Sequence, residues 1–95
     1  IDPQPARKWA ERIPGYLENC RNNGAAMWEA LERADFAAVT ILGHNLRGSG
    51  GSFGFQTITD LGAGLEQASE DLDLHRTQEL LSELSSYLDS VEIAI

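Results

Sequence analysis

The chain has 95 residues, a formal net charge of −8 and one cysteine. That length makes a single domain with a modest core, and the acidic balance argues against a nucleic-acid partner, which requires clustered Lys and Arg. Cys20 alone closes no internal disulfide, which fits a reducing compartment and leaves no cysteine cluster for a metal. No stretch of these residues is long and apolar enough to span a bilayer, and no signal-peptide pattern is seen. The first residue is Ile1 rather than Met, so the chain is expected to be excised from a longer multidomain protein.

Residues 1–5, with Pro3 and Pro5, read as the end of a linker, and residues 6–95 as the domain. Ala6 to Arg12 is expected to form a short amphipathic capping helix anchored by Trp9. Pro14 disfavours helical geometry at Ile13 and suits the first turn of a new helix. A first long helix is therefore predicted from Pro14 to Arg33, with Leu17, Cys20, Gly24, Met27 and Leu31 along its stripe. Gly24 costs about 1 kcal/mol against Ala in a helix interior, so it is expected to admit a close neighbour. Trp28 lies at the flank of the stripe.

Asp35 is placed to cap a second helix through its carboxylate. That helix runs from Phe36 to Gly50 or Gly51. Gly48, Gly50, Gly51 and Gly54 weaken its end and predict a loop near Ser52 to Phe55. A third helix is predicted from Gln56 to Glu70, with Ile58, Leu61, Leu65 and Ala68 as its stripe. Gly62 and Gly64 are poor helix formers, which predicts close packing there. Asp73 caps a last helix from Leu74 to about Val91, where Thr77, Leu81, Leu84, Leu88 and Val91 recur at heptad-like spacing. No strand-like alternation competes. The expected fold is all-α, an antiparallel up-down-up-down four-helix bundle with a short N-terminal capping helix.

Residues 44–54 stand out. At about 100° per residue, Val39, Leu42, Leu46 and Phe53 gather on one face. His44 points the other way, among Ala37, Thr40, Ile41, Arg47, Gly48 and Gly51. No carboxylate lies between Asp35 and Asp60. A histidine is thus turned outward, with bulk and negative charge cleared from around it and one guanidinium beside it. An imidazole with an ordinary pKa of about 6.5 is largely neutral near pH 7 and offers a nucleophilic lone pair. The arrangement suits a site that carries a phosphoryl group on the ring. Arg47, three residues on, is placed to pair with phosphoryl oxygens. Gly48 leaves nothing to shield the ring. Ala37, Thr40, Ile41, Gly51 and Trp28 read as a docking surface, and Glu66 or Gln67 as the residue that orients the ring. His75, beside Asp73 with no glycine clearing, reads as plain surface. The glycines fit no phosphate-binding loop, since Ser49 stands where Lys is required. No zinc site or paired acid and base can be read.

These residues resemble the histidine phosphotransfer (HPt) domain family. The matching positions are His44, Leu46 at +2, Arg47 at +3, Gly48 at +4, the small Ser49 and Gly50, and Gly54 at +10, with Leu61, Leu65 and Glu66 in the following helix. The resemblance covers about the whole chain. It departs at +3, where the family usually has Lys; Arg47 keeps the charge with a different reach and geometry. The resemblance implies a phosphorelay intermediate of two-component signal transduction, a stoichiometric carrier rather than an enzyme. It would accept a phosphoryl group on His44 from a receiver-domain aspartate and pass it to another receiver. Implied partners are response-regulator receiver domains or a hybrid sensor histidine kinase. The receiver would supply Mg²⁺ and most catalytic groups, and the chain would need no cofactor or metal of its own. A cytoplasmic monomer is expected, or the cytoplasmic part of a membrane-anchored kinase, without direct membrane contact. Two rivals remain. One is a substrate domain of a chemotaxis-type kinase, phosphorylated directly by an ATP-binding domain. The other is a helical interaction module in which His44 is incidental.

Overall fold

The computed structural model describes residues 4–94, with side chains over residues 11–92. Its elements are α1 (Gln4–Glu32), α2 (Phe36–Ser49), a short 3₁₀ turn (Gly51–Phe53), α3 (Gln56–Glu70) and α4 (Leu74–Ala94). There are no strands among the described residues. α1 packs on α2 and α4, and α3 packs on the same two, so the four helices form a closed ring, with no close approach of diagonal backbones among the described residues. Short turns join α1 to α2, α2 to α3 and α3 to α4, so each helix runs antiparallel to the next.

The centre of the ring is filled from the predicted stripes. Leu17, Cys20 and Met27 of α1, Val39 and Leu46 of α2, Ile58 and Leu65 of α3, and Leu81, Leu84 and Leu88 of α4 are all buried. Each large apolar side chain withdrawn from water contributes about 1.5–3 kcal/mol. Thr77 shares that interior, and its hydroxyl is satisfied by the Asp73 carbonyl at 2.7 Å.

Both predicted caps form. The Asp35 carboxylate accepts from Ala38 N at 3.1 Å, and that of Asp73 from Arg76 N at 3.0 Å. The turns before them use the same device. Ala34 (φ 55°) and Leu72 (φ 56°) take the left-handed conformation, and the next amide reaches back to Ala30 O and Ala68 O respectively. This conformation usually falls to glycine; here the stops are marked instead by the capping Asp35 and Asp73 that follow.

Three expectations change. The separate capping helix is absent, because α1 runs without interruption through Pro14. Proline removes one amide donor and strains one turn, which bends a helix more readily than it ends one. Of the expected linker, Gln4 and Pro5 belong to α1, and residues 1–3 lie outside the described residues, as does the side chain of Trp9. Gly24 is not a close-packing glycine: a Cβ there would meet only Leu84 Cδ2, at an ordinary 3.8 Å.

The α2–α3 seam differs from the leucine-filled centre. Gly43 of α2, Gly50 at the C-cap of that helix and Gly62 of α3 are buried, and a Cβ on any of them would collide with backbone of α3 or α2 opposite. Polar side chains line the same seam. Thr59 Oγ1 donates to Arg47 O at 3.0 Å and accepts from Gly51 N at 2.7 Å. Ser69 and Thr40 join hydroxyls at 2.7 Å. Thr59, Gly62, Glu66 and Ser69 recur at three and four residues, so they form one stripe of α3 turned to α2.

Candidate functional site

His44 lies on the solvent side of that seam, with its side chain 66% exposed. Its Nδ1 is 3.1 Å from Oε2 of Glu66, which α3 brings across. The other oxygen, Oε1, accepts from Arg47 Nη1 at 2.9 Å. One carboxylate therefore holds both residues that the sequence placed together on α2. The Arg47 guanidinium, with a smaller contribution from His44, lowers the Glu66 pKa below the usual carboxylate value.

This fixes the chemistry of the ring. An ionised carboxylate only accepts hydrogen bonds, so Nδ1 is the donor. The neutral imidazole then carries its lone pair on Nε2, and the tautomer follows from the bond that the other nitrogen makes. Gly48 keeps the approach open: a Cβ at that position would meet nothing within 4 Å. Ala37 is exposed and Ile41 is 63% exposed, two turns and one turn before His44 on the same side of α2. Gly51 is exposed at the end of that face.

Three predicted residues fall elsewhere. The Thr40 hydroxyl bonds to Phe36 O and to Ser69, so it faces α3 rather than solvent. Gln67 donates to Asp71 along its own helix at 3.1 Å, which leaves Glu66 to orient the ring. Trp28 lies in a groove between α1 and α4 with Arg21, Gly24 and Leu84, away from the α2–α3 seam that carries His44. His75 is exposed and meets only Glu79, one turn on, at 3.4 Å.

The clearance of carboxylates from α2 holds along the chain, and the fold returns one to the ring, Glu66, which the sequence offered beside Gln67. Thr59, which pins the Arg47 carbonyl, has no such signal; its only mark is its place one turn before Gly62. Behind the site, Tyr16 of α1 stacks on Phe53 with centroids 4.0 Å apart and bonds Ser49 at 2.8 Å. Phe53 is therefore only partly buried, on the rim of the core rather than inside it. The described residues hold no group of three or more His, Cys, Asp or Glu suited to a metal, and no described helix is long and apolar enough to cross a membrane.

Comparison with curated proteins and with solved structures found no match. A family model described as "Hpt domain" matches residues 14–94, which is most of the chain and includes the whole α2–α3 hairpin. On that match, and with four antiparallel helices presenting His44 beside Arg47 and Gly48 on an outward face, the protein belongs to the Hpt domain family, whose members carry phosphoryl groups in phosphorelays without being enzymes.

Proposed function

We propose that His44 is the phosphoacceptor of this carrier, taking a phosphoryl group from a receiver-domain aspartate and passing it to a second receiver. The observation that carries the reading is the Glu66 carboxylate on Nδ1 of an exposed ring, with open space at Gly48 one turn on. Nε2 attacks phosphorus in line, an N–P bond forms, and the acyl-phosphate P–O bond breaks to return the aspartate carboxylate. The ring keeps its proton on Nδ1 and becomes cationic, and the anionic Glu66 stabilises that charge where it develops. Return of the electron pair to Nε2 during attack by the next aspartate reverses the step.

Arg47 serves the phosphoryl oxygens. A guanidinium has five donors, so one bond to Glu66 leaves others free for the incoming group. Ala37, Ile41 and Gly51 form a small, largely uncharged rim on which a receiver can seat. Phosphoryl transfer rests mainly on positioning and charge neutralisation, and the metal for that purpose is assigned to the receiver.

The test is phosphotransfer from a panel of radiolabelled phospho-receivers to the isolated domain, with His44→Gln alongside. Acid-labile, alkali-stable label on the native chain alone supports the reading. Label transferred only from an ATP-bound kinase domain would move His44 to direct phosphorylation, and equal labelling of His44→Gln would sink the assignment.

A further inference from the structure

The two site residues of α2 sit directly against the glycine contacts of the seam. Gly43 precedes His44, and a Cβ there would stand 2.9 Å from the backbone N of Glu66 and 3.1 Å from Gly62 O. Gly62 lies one turn before Glu66. A Cβ on it would collide with the backbone N of Arg47, and would stand 2.7 Å from Gly43 O and 2.9 Å from Leu46 C. Each glycine thus abuts the main chain of a residue that carries the site: one touches Glu66, the other Arg47. The contacts are backbone on backbone, so neither can be relieved by a rotamer change.

We infer that Gly43 and Gly62 are positioning residues that set the α2–α3 spacing so that one Glu66 carboxylate reaches both His44 and Arg47. The side chain of Glu66 has a fixed length. At 3.1 Å to Nδ1 and 2.9 Å to Nη1, there is no slack for the backbones to part by the width of a methyl group. A methyl at either glycine pushes the helices apart, and Glu66 then keeps Arg47 or His44, not both. Arg47 holds the charge-assisted bond, so His44 is the partner lost. Its ring then returns to the ordinary preference of free imidazole for a proton on Nε2, which places the proton on the attacking nitrogen.

Other glycines frame the claim. Gly64 lies on the same helix but faces α4, where a Cβ would meet the flexible end of Leu80 at 3.1 Å. Gly48 faces open space. Only the seam glycines combine burial with contact to the backbone of a site residue on the opposite helix.

The experiment compares Gly43→Ala, Gly62→Ala and Gly64→Ala with the native domain. Gly64→Ala carries the same gain in helix propensity as Gly62→Ala without touching the seam. Circular dichroism reports the fold. Long-range ¹⁵N–¹H spectra report the His44 tautomer, with His75 as an internal reference. Labelled transfer from a phospho-receiver reports the rate. Native and Gly64→Ala chains are expected to show the Nδ1–H tautomer at His44. Folded Gly43→Ala or Gly62→Ala is expected to lose it, with transfer slowed about 10- to 100-fold, the range for misplacement near 1 Å. A folded seam variant that keeps both the tautomer and the rate overturns the inference. So does Gly64→Ala losing them equally, or both seam variants unfolding, which would make the contact a requirement of the fold alone. The rate arm rests on the proposed phosphoacceptor role. The tautomer arm does not, so a native chain that takes no label fails that role while the spectra still decide the positioning claim.

Discussion

Glu66 serves two partners with one side chain, which separates its effects by substitution. Glu66→Ala removes the acceptor on Nδ1 and frees Arg47, and is expected to slow labelling of His44 about 10- to 100-fold in a transfer time course, with helical content unchanged. Its charge also carries a pH signature. The folded pKa lies below the ordinary carboxylate value, chiefly because of Arg47. The pairing therefore contributes its full stability above the unfolded-state pKa, and the contribution fades as pH falls through the window down to the folded value. Thermal melts of native and Glu66→Gln chains should differ above the ordinary carboxylate range and converge below it. A difference that persists unchanged below the ordinary carboxylate range would contradict the ion pair. At this scale the outward turn of His44 was legible in the sequence, because α2 has a clear apolar face to set against it. The choice between Glu66 and Gln67 was not. Adjacent residues lie about 100° apart on a helix, and only the seam shows which of them looks at α2.

Among the elements, α2 trades stability for access at Gly48. A helix residue with empty space around it gains about 0.5–1 kcal/mol when Gly becomes Ala. Gly48→Ala is therefore expected to melt higher than the native chain while transferring more slowly, since its methyl group narrows the open face on which an incoming receiver would seat. A variant with both properties improved would show that the open face has no role. The α1–α2 turn gives the opposite lesson. Ala34 holds a left-handed conformation that costs an L-residue about 1–2 kcal/mol. Ala34→Gly relieves that and gives back about 0.4–1 kcal/mol through the freer unfolded chain, so a small net rise in melting temperature is expected. The caps and the bounds of α3 were readable, since Asp35 and Asp73 sit before clean periodic runs. The start of α1 was not. Pro14 has the same local chemistry at the first turn of a helix and at a bend within one, and the difference depends on the residues upstream.

In the whole molecule, the buried centre and the polar seam divide the work. Leu84 is 1% exposed at the centre, and Leu84→Ala is expected to cost about 2–5 kcal/mol, read as an earlier denaturant midpoint. The apolar stripes predicted that centre almost residue by residue. The seam was legible only in part: Gly62 and Gly64 both announced close packing, and both pack closely, but glycine and hydroxyl residues have no hydrophobic periodicity to show that the two face different helices.

The buried thiol gives the folded bundle an internal clock. Cys20 is fully enclosed, and burial raises its pKa, so the reactive thiolate is both hidden and scarce. An alkylating reagent then modifies the chain chiefly during the moments when the core opens. Where opening and closing outpace alkylation, the rate measures the open population; at high reagent it measures the opening rate itself. Because this is the sole cysteine, mass spectrometry can follow that opening in the unlabelled native protein, with the phosphorylated and unphosphorylated forms timed side by side in one tube.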